Sequence, residues 1–255
     1  CRFIPSVPGY LYGVKDNNIY VNLFAGNTST IKVQGKDVVL EETTEYPWNG
    51  DIKIAVKKSG VKNANLLVRI PGWVRNQVVP SDLYKYSDAE KPAYTVTVNG
   101  KAVEADLDAN KGYLPVKNIK KGDVIRIHFD MPVRTVVANN KVADDKGKVA
   151  VERGPLVYCA EAVDNSNEPV LRAVVAKKPT FTLVDNYSIQ NTETKGAPAF
   201  SVKAIKTDAQ VLEEGANGIS VKNDKLTLIP YYAWNHRGAN EMNVWFIQNL
   251  SMLDK

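Results

Sequence analysis

Side chains that could perform acid–base catalysis occur in this sequence, but their positions do not pair them. Hydrolysis of a glycosidic bond, for example, needs two carboxylates about 5–10 Å apart, and the sequence alone selects no such pair from its 28 acidic residues. The adjacent pairs Glu41-Glu42 and Glu213-Glu214 would point to opposite faces of a strand, because successive strand side chains alternate. Both pairs are therefore expected to be solvated.

Sequence motifs that bind metal or phosphate, or that activate a nucleophile, are absent. The sequence has no Gly-x-Ser-x-Gly, Gly-x-x-x-x-Gly-Lys-Ser/Thr, His-Glu-x-x-His or paired Cys-x-x-Cys. Its two cysteines, Cys1 and Cys159, are too few for a disulfide scaffold or for a zinc site built from this chain's own thiols. His128 lies opposite Ile127 and Phe129 in an alternating segment and is expected at the surface. We predict no catalytic or metal-binding residue in this chain.

The aromatic residues give the remaining chemical signal, because a sugar ring can stack on an exposed Trp or Tyr face. Trp48, Trp73 and Trp234 lie at predicted strand ends beside Pro or Gly, and His236 follows in the loop after Trp234. Large aromatic residues in such places also staple loops at the rims of β-sandwiches, so packing and ligand contact both stay open for them. Trp245 lies inside a predicted strand and is expected in the core.

The charge distribution argues against a nucleic-acid partner. The chain has 33 Lys and Arg against 28 Asp and Glu, a net charge of +5. A phosphate-binding face needs clustered cations, whereas the densest basic pairs stand alone in turn-like contexts. No apolar run is long enough to cross a bilayer, and no charged start followed by an apolar stretch resembles a signal peptide. Neither nucleic acid nor a membrane is expected as a partner.

These residues must be positioned by β-strands, since helical periodicity is almost absent. Short segments rich in Val, Ile, Thr and Tyr recur, each bounded by Gly, Asn, Asp or Pro, and Asn99-Gly100 is a strong hairpin-turn signal. The pattern predicts an all-β fold of two consecutive antiparallel, jelly-roll-like β-sandwich domains. The predicted strands are Ile19–Phe24, Thr30–Val33, Asp51–Val56, Asn65–Ile70, Tyr94–Val98, Val124–Phe129, Lys148–Val151, Leu156–Cys159, Thr180–Val184, Phe200–Ile205, Lys225–Ile229 and Met242–Ile247.

The strand rhythm breaks between Asp130 and Gly147, where polar turns follow Met131-Pro132. A domain boundary is placed there, which gives a first sandwich over residues 10–133 and a second over 134–255. The opening residues 1–9 contain Pro5 and Pro8, cannot extend a helix, and look like the end of an earlier element. We expect a strand-like or loop tail from Arg2 to Tyr10.

Several collinear motifs resemble the C-terminal part of glycoside hydrolase family 127, the β-L-arabinofuranosidase-like enzymes. The resemblance covers nearly the whole chain, and its specificity comes from the number and order of the motifs. They are Arg2-Phe3-Ile4-Pro5-Ser6-Val7-Pro8-Gly9-Tyr10, Ile19-Tyr20-Val21-Asn22-Leu23-Phe24, Tyr46-Pro47-Trp48-Asn49-Gly50, Arg69-Ile70-Pro71-Gly72-Trp73, Val98-Asn99-Gly100, Lys111-Gly112-Tyr113-Leu114, Gly154-Pro155-Leu156-Val157-Tyr158, and Pro230-Tyr231-Tyr232-Ala233-Trp234-Asn235-His236-Arg237-Gly238 with Asn240-Glu241-Met242.

The resemblance implies that catalysis lies outside these residues. Members of that family have an N-terminal (α/α)6 barrel that holds zinc on cysteine thiolates and a glutamate, and one cysteine is the nucleophile. Its Cys-Cys-Pro motif would fall immediately before residue 1. Cys1 aligns beyond that pair and does not inherit the nucleophile role, and Cys159 matches no family ligand. No cofactor is therefore expected in this fragment, whereas zinc is implied for the parent enzyme.

The resemblance thus predicts an accessory region that braces the missing catalytic barrel and is not catalytic alone. Trp48, Trp73, Trp234 and His236 become candidates for the barrel interface or for sugar contact, and an exposed docking face, through which the fragment could also form a homodimer, is expected. The alternative is a free-standing carbohydrate-binding β-sandwich module whose partner is a glycan. The resemblance to enzymes that act on plant-derived glycans implies a periplasmic or secreted location.

Overall fold

The fold is all-β, as predicted. The computed structural model describes residues 3–176, 178–189, 200–215 and 218–248, with side chains at all of these positions except 200, 212–215 and 218–219. Within these ranges every helix is a 3₁₀ segment of three to seven residues, and none is long and apolar enough to span a membrane. The 3₁₀ segments are Ile4–Tyr10, Trp73–Arg75, Ala143–Asp145, Ala162–Asp164, Val170–Arg172 and Tyr231–Ala233.

The strands are numbered in chain order. They are β1 Tyr12–Lys15, β2 Asn18–Val21, β3 Asn27–Val33, β4 Lys36–Thr44, β5 Asp51–Ser59, β6 Asn65–Arg69, β7 Tyr84–Tyr86, β8 Tyr94–Val98, β9 Lys101–Ala102, β10 Tyr113–Val116, β11 Val124–Phe129, β12 Val133–Ala138, β13 Lys148–Arg153, β14 Leu156–Glu161, β15 Ala173–Val175, β16 Phe181–Ile189, β17 Phe200–Gly215, β18 Gly218–Pro230, β19 Met242–Asn243 and β20 Phe246–Ile247.

The first of two compact units comprises residues 1–77 and 90–131. It contains a four-stranded sheet in the order β1-β2-β6-β10 and a six-stranded sheet in the order β3-β4-β5-β11-β8-β9. All pairings are antiparallel except β2 with β6. Alternation puts one face of each strand in the core, as in β5, where Ile52, Ile54 and Val56 are buried between less buried neighbours.

The second unit comprises residues 78–89 and 132–255. Its ten-stranded sheet follows the order β19-β14-β18-β17-β15-β20-β13-β12-β7, with β16 paired to β17. An additional β13–β14 pairing closes part of this path on itself. Residues 78–89 belong here although their neighbours on both sides in the sequence belong to the first unit, because β7 pairs with β12.

The local predictions are mostly confirmed. Each predicted strand overlaps an observed one, and Asn99 and Gly100 form the hairpin turn with φ of 51° and 82°. The strand predicted over 242–247 is interrupted, and Trp245 lies half-buried in the bend against Tyr84 rather than inside a strand. The expected strand-like or loop tail is also wrong: Ile4–Tyr10 is a 3₁₀ helix, because the fixed φ of proline suits such a turn.

Candidate docking surface and its supporting residues

Trp73 is a packed residue of the first unit. Its side chain is buried, its indole Nε1 donates to the Tyr46 hydroxyl at 3.2 Å, and its ring meets the Phe129 ring edge-on with centroids 5.8 Å apart. Phe24 joins this group, with its ring centroid 5.5 Å from that of Tyr46 and 5.7 Å from that of Phe129. The aromatic cluster therefore ties the loop after β2 and the turn before β5 to the end of β11.

Gly50 allows the turn before β5 to approach β11 this closely. A Cβ at this position would lie 1.9 Å from the Phe129 carbonyl oxygen, so that only glycine fits. The Phe129 amide donates to the Gly50 carbonyl at 3.0 Å. The turn is consequently fixed by backbone contact as well as by the aromatic cluster.

Trp48 projects from this fixed turn and is 47% exposed. The turn itself is closed by the Trp48 amide donating to the Glu45 carbonyl at 2.9 Å and by the Asn49 side chain donating to the Glu45 carboxylate at 2.7 Å. Trp48 therefore presents an indole on a rigid support, unlike the buried Trp73.

The N-terminal 3₁₀ helix adds more exposed apolar side chains. None of its residues is buried, and Ile4 and Tyr10 are 71% and 57% exposed. Asn22 connects the helix to the loop after β2: its amide donates to the Leu11 carbonyl at 2.9 Å, and its side chain donates to the Tyr10 carbonyl at 3.4 Å. We give the name docking surface to the exposed large apolar side chains of this helix with its N-cap, of the loop after β2 and of the turn before β5; its members are Phe3, Ile4, Tyr10, Leu23 and Trp48.

Trp234 and His236 lie in the second unit. Trp234 is half-buried and packs on a small core that includes Cys159 and Ile229, with its ring centroid 5.9 Å from that of Tyr231. His236 is exposed. The four residues selected from the sequence are thus divided between the units, two in each. Their burial ranges from that of Trp73, which is buried, to that of His236, which is exposed.

A buried ionic cluster supports the loop that carries Trp234 and His236. The Arg237 guanidinium donates to the carboxylates of Glu161 and Asp164, and these three side chains are 0–5% exposed. Burial lowers the pKa of Arg237, but Asp164 and Glu161 outweigh it and raise the pKa above its ordinary value. Sequence reasoning missed this cluster, since Arg237 stands 76 residues from Glu161.

Cys159 is not suited to be a nucleophile or a metal ligand. It is fully buried, and burial together with the negative charges of Glu161 and Asp164 raises its pKa to about 12. A thiol in that environment is protonated at neutral pH.

In the described part of the chain no group of three or more His, Cys, Asp or Glu side chains could hold a metal ion, so these residues do not fit a zinc centre. Cys1 lies outside the described residues.

The expectation that Glu41 and Glu42 are both solvated is wrong for Glu42. The two side chains do point to opposite faces, but Glu42 is 3% exposed, whereas Glu41 pairs with Lys57 at the surface. Burial raises the pKa of Glu42 to about 7, although hydrogen bonds from Tyr12 and the Ala25 amide lower it in part. The side chains of Glu213 and Glu214 lie outside the described ones.

His128 is exposed, as predicted, and lies between two carboxylates. Its Nδ1 is 2.7 Å from Asp51 Oδ1 and its Nε2 is 3.1 Å from Asp130 Oδ1. The hydrogen bond to Asp51 raises the pKa of His128, burial opposes that change, and Asp130 adds to it. Both ring nitrogens contact a carboxylate, so neither is free for general-base chemistry.

Comparisons with known proteins agree with this fold. Residues 18–131 match the family described as the GH127 middle domain of β-L-arabinofuranosidase, and residues 133–247 match the glycoside hydrolase family 127 C-terminal domain. The chain is 30% identical to a non-reducing end β-L-arabinofuranosidase of Bifidobacterium longum subsp. longum, over 96% of this chain and 35% of that protein.

Two solved structures extend the comparison. A GH127 β-arabinofuranosidase is 46% identical with a TM-score of 0.87, over 98% of this chain and 38% of that chain. A GH127 β-L-arabinofuranosidase from Geobacillus stearothermophilus T6 is 27% identical with a TM-score of 0.76, over 97% of this chain and 36% of that chain.

These matches define the class first: the chain consists of all-β domains of a kind found in glycoside hydrolases. It belongs to glycoside hydrolase family 127 and comprises that family's middle and C-terminal domains. It spans little more than a third of the length of the relatives that it matches.

Proposed function

We propose that this region is the non-catalytic accessory part of a β-L-arabinofuranosidase-like glycoside hydrolase and braces the catalytic (α/α)6 barrel. The barrel corresponds to the part of the relatives that this chain does not span. Catalysis and zinc binding are assigned to that part. Among the described residues, Cys159 is buried and protonated at neutral pH, and no group of three or more His, Cys, Asp or Glu side chains could hold a metal ion.

The observation that carries this proposal is the exposed N-terminal 3₁₀ helix. Seven residues with two prolines form an ordered helix of which no side chain is buried, and Phe3 and Ile4 are about 70% exposed. The ring centroids of Phe3 and Tyr10 lie 6.1 Å apart, and exposed apolar side chains that stand together usually mark an interaction site. We assign Leu23 and Trp48 to the same surface because they are exposed and stand one and two residues from Phe24 and Tyr46, whose rings pack together.

The occupant that we assign to the docking surface is the barrel of the same protein. The surface is rich in aromatic and aliphatic side chains, Phe3, Ile4, Leu23 and Trp48, which suits a protein interface better than a sugar site. Its supports, Gly50 and the Phe24–Tyr46–Phe129–Trp73 cluster, fix it before binding, and such preorganisation lowers the cost of association.

The experiment is an association assay in trans. The barrel region of the 46% identical β-arabinofuranosidase is mixed with this chain and with its Trp48→Ser variant, and binding is measured by calorimetry. Trp48→Ser should weaken binding about 10-fold or more, as expected for a buried aromatic anchor. The matched control is Leu183→Ser, which alters a side chain of similar exposure in the second unit and should bind like the unaltered chain.

The proposal fails if the two polypeptides do not associate, or if both variants weaken binding equally. Self-association of the chain through the same surface, detected by sedimentation and abolished by Trp48→Ser, would instead indicate a homodimer interface.

Secretion or periplasmic location also remains part of the proposal and is tested by fractionating cells that express the whole protein.

Carbohydrate binding is the second candidate function, and it rests on the second unit. Tyr231 and Tyr232 are 45% and 47% exposed on a short 3₁₀ helix beside Trp234, and aromatic faces of this kind can stack on a sugar ring. Titration of the chain alone with arabinan oligosaccharides, followed by Trp fluorescence, tests this function. Saturable binding that is lost in Tyr231→Ala would favour it, and the absence of any change would remove it.

A further inference from the structure

Glu42 lies in the core-facing row of β4. Val38, Leu40 and Glu42 alternate with less buried residues, and all three are at most 3% exposed. The residues opposite Glu42 on the neighbouring strands are Asn27 of β3 and Ile54 of β5. A carboxyl group thus occupies a position that the strand pattern reserves for an apolar side chain.

Two hydrogen bonds satisfy this carboxyl group. Oε1 accepts from the Ala25 amide at 2.9 Å, and Oε2 lies 3.1 Å from the Tyr12 hydroxyl, which also contacts Asn27 at 3.2–3.3 Å. The Tyr12 phenol, from β1, is the titratable group that faces Glu42, and the strands on either side contribute Asn27 and Ile54. No cation among the described residues acts on the carboxyl group.

The two partners of Glu42 anchor two of the three segments that build the docking surface, the N-terminal helix and the loop after β2. Tyr12 begins the strand that follows the N-terminal 3₁₀ helix, with only Leu11 between them. Ala25 follows Leu23 and Phe24 in the loop after β2, and Phe24 carries that loop into the aromatic cluster. One buried side chain therefore holds both the helix and the loop against the six-stranded sheet.

We infer that Glu42 is a positioning residue of the docking surface, that its uncharged carboxyl holds the N-terminal helix and the loop after β2 in place, and that its ionisation releases them. This inference rests on the proposed function, since it concerns the same surface. The physical reason is that a buried carboxylate without a cationic partner loses more hydration free energy than two hydrogen bonds return. Opening the loop to water would relieve that loss.

The transition should fall near neutral pH. Burial raises the pKa of Glu42 to about 7, and a group with that pKa is about nine-tenths protonated at pH 6 and about one-tenth protonated at pH 8. Binding to the barrel should therefore weaken about 10-fold from pH 6 to pH 8.

The test compares Glu42→Gln with Glu41→Gln in the whole chain. Glutamine at 42 keeps the shape and the acceptor for the Ala25 amide but cannot ionise, so the variant should bind the barrel equally at both pH values. Glu41, next to it on the opposite face, pairs with Lys57 at the surface, and its variant should keep the full pH dependence. The inference is overturned if Glu42→Gln retains the pH dependence or if Glu41→Gln removes it.

A local measurement separates this inference from the proposed function. Hydrogen exchange at the Ala25 amide and in residues 4–12, corrected for the intrinsic pH effect, needs no barrel and should accelerate from pH 6 to pH 8 in the unaltered chain and in Glu41→Gln only. Tyr12→Phe removes a hydrogen bond that lowers the pKa of Glu42, so the acceleration should move to higher pH. Unchanged exchange across this range contradicts the role of Glu42 even if docking occurs.

Discussion

A few charged side chains are buried, and burying each of them costs folding free energy that can be measured. In the second unit, the single charge of Arg237 balances only one of two buried carboxylates. The Asn235 amide and the Asn240 side chain donate to Glu161 Oε1, the oxygen that Arg237 does not contact, and Tyr187 donates to Asp164 Oδ1. A buried pair is weak evidence for stability, but the loss of one member leaves an uncompensated charge. The cluster therefore fixes the loop that carries Trp234 more than it stabilises the fold.

Arg237→Met should destabilise the second unit by about 3–5 kcal/mol, because Glu161 and Asp164 would both stay buried without a cation. Urea denaturation measures the change. Lys225→Met is the matched control, since Lys225 pairs with Asp208 at the exposed surface, and it should change stability little. Adding Glu161→Gln and Asp164→Asn to Arg237→Met should recover much of the loss; no recovery would mean that packing rather than charge is responsible.

Glu42 should make the stability of the first unit fall as pH rises. Its pKa is raised from 4.5 in the unfolded chain to about 7 in the folded protein, so the folded state binds more protons between these values. The stabilisation is complete below pH 4.5 and is lost progressively up to about pH 7, and it amounts to at most about 3 kcal/mol. Urea unfolding at pH 5 and pH 8 should show this difference in the unaltered chain and a smaller one in Glu42→Gln.

Cys159 should be inert in the folded protein. Its thiol is buried and its pKa is raised to about 12, so iodoacetamide should modify it only after denaturation. Peptide mapping distinguishes this site from Cys1. Rapid modification of Cys159 in the native chain would contradict the buried, protonated state assigned to it.

At the scale of the elements, the most unusual feature is the strand that residues 78–89 contribute to the second unit. Tyr86 of β7 lies under Arg134 of β12, with the guanidinium carbon 3.5 Å from the ring centroid, and its hydroxyl donates to Glu152 at 3.0 Å. Arg134 also forms two hydrogen bonds with Asp88. These contacts hold residues 78–89 in the second unit, although residues 90–131, which follow in the sequence, belong to the first unit.

Tyr86→Ala should therefore destabilise the second unit, although residue 86 stands in the sequence between two strands of the first. We expect a loss of about 3–5 kcal/mol from the missing ring, measured by hydrogen exchange resolved over the two units. Tyr86→Phe keeps the ring under Arg134 and should cost only about 1 kcal/mol, and the exposed Leu83→Ala should cost little. If Tyr86→Ala reduced protection from hydrogen exchange more in the first unit than in the second, β7 would not belong to the second unit.

The sequence predicts elements best where side chains alternate over several residues. Tyr94–Val98 and Val124–Phe129 are observed with the predicted bounds because apolar and polar side chains alternate in each; in the second, Ile125, Ile127 and Phe129 are buried between exposed residues. β4 carries the same signal in Val38, Leu40 and Glu42, but the adjacent charges of Glu41 and Glu42 conceal it. β7 has only three residues, and its partner β12 lies about 50 residues further on, so local patterning gives no indication of it.

At the scale of the whole molecule, the family resemblance predicts an exposed docking face, and that role stays a prediction. Of the residues selected for it in the first unit, Trp48 is exposed, whereas Trp73 is packed against Phe129. Phe3, Ile4, Tyr10 and Leu23 were not selected, because exposure of an apolar residue depends on contacts that the sequence does not contain. The ionic cluster of Arg237 and the hydrogen bonds of Glu42 likewise join residues distant in the chain.

The proposed function makes this region a support for catalysis that performs none of the chemistry itself. The most direct measurement is hydrolysis of a β-L-arabinofuranoside in the presence of zinc by this chain alone, by the barrel region alone and by the two mixed. We expect no turnover by the chain alone, and a barrel that is more active or more heat-resistant in the mixture than by itself. Turnover by the chain alone, or a barrel that the chain neither activates nor stabilises, would contradict it.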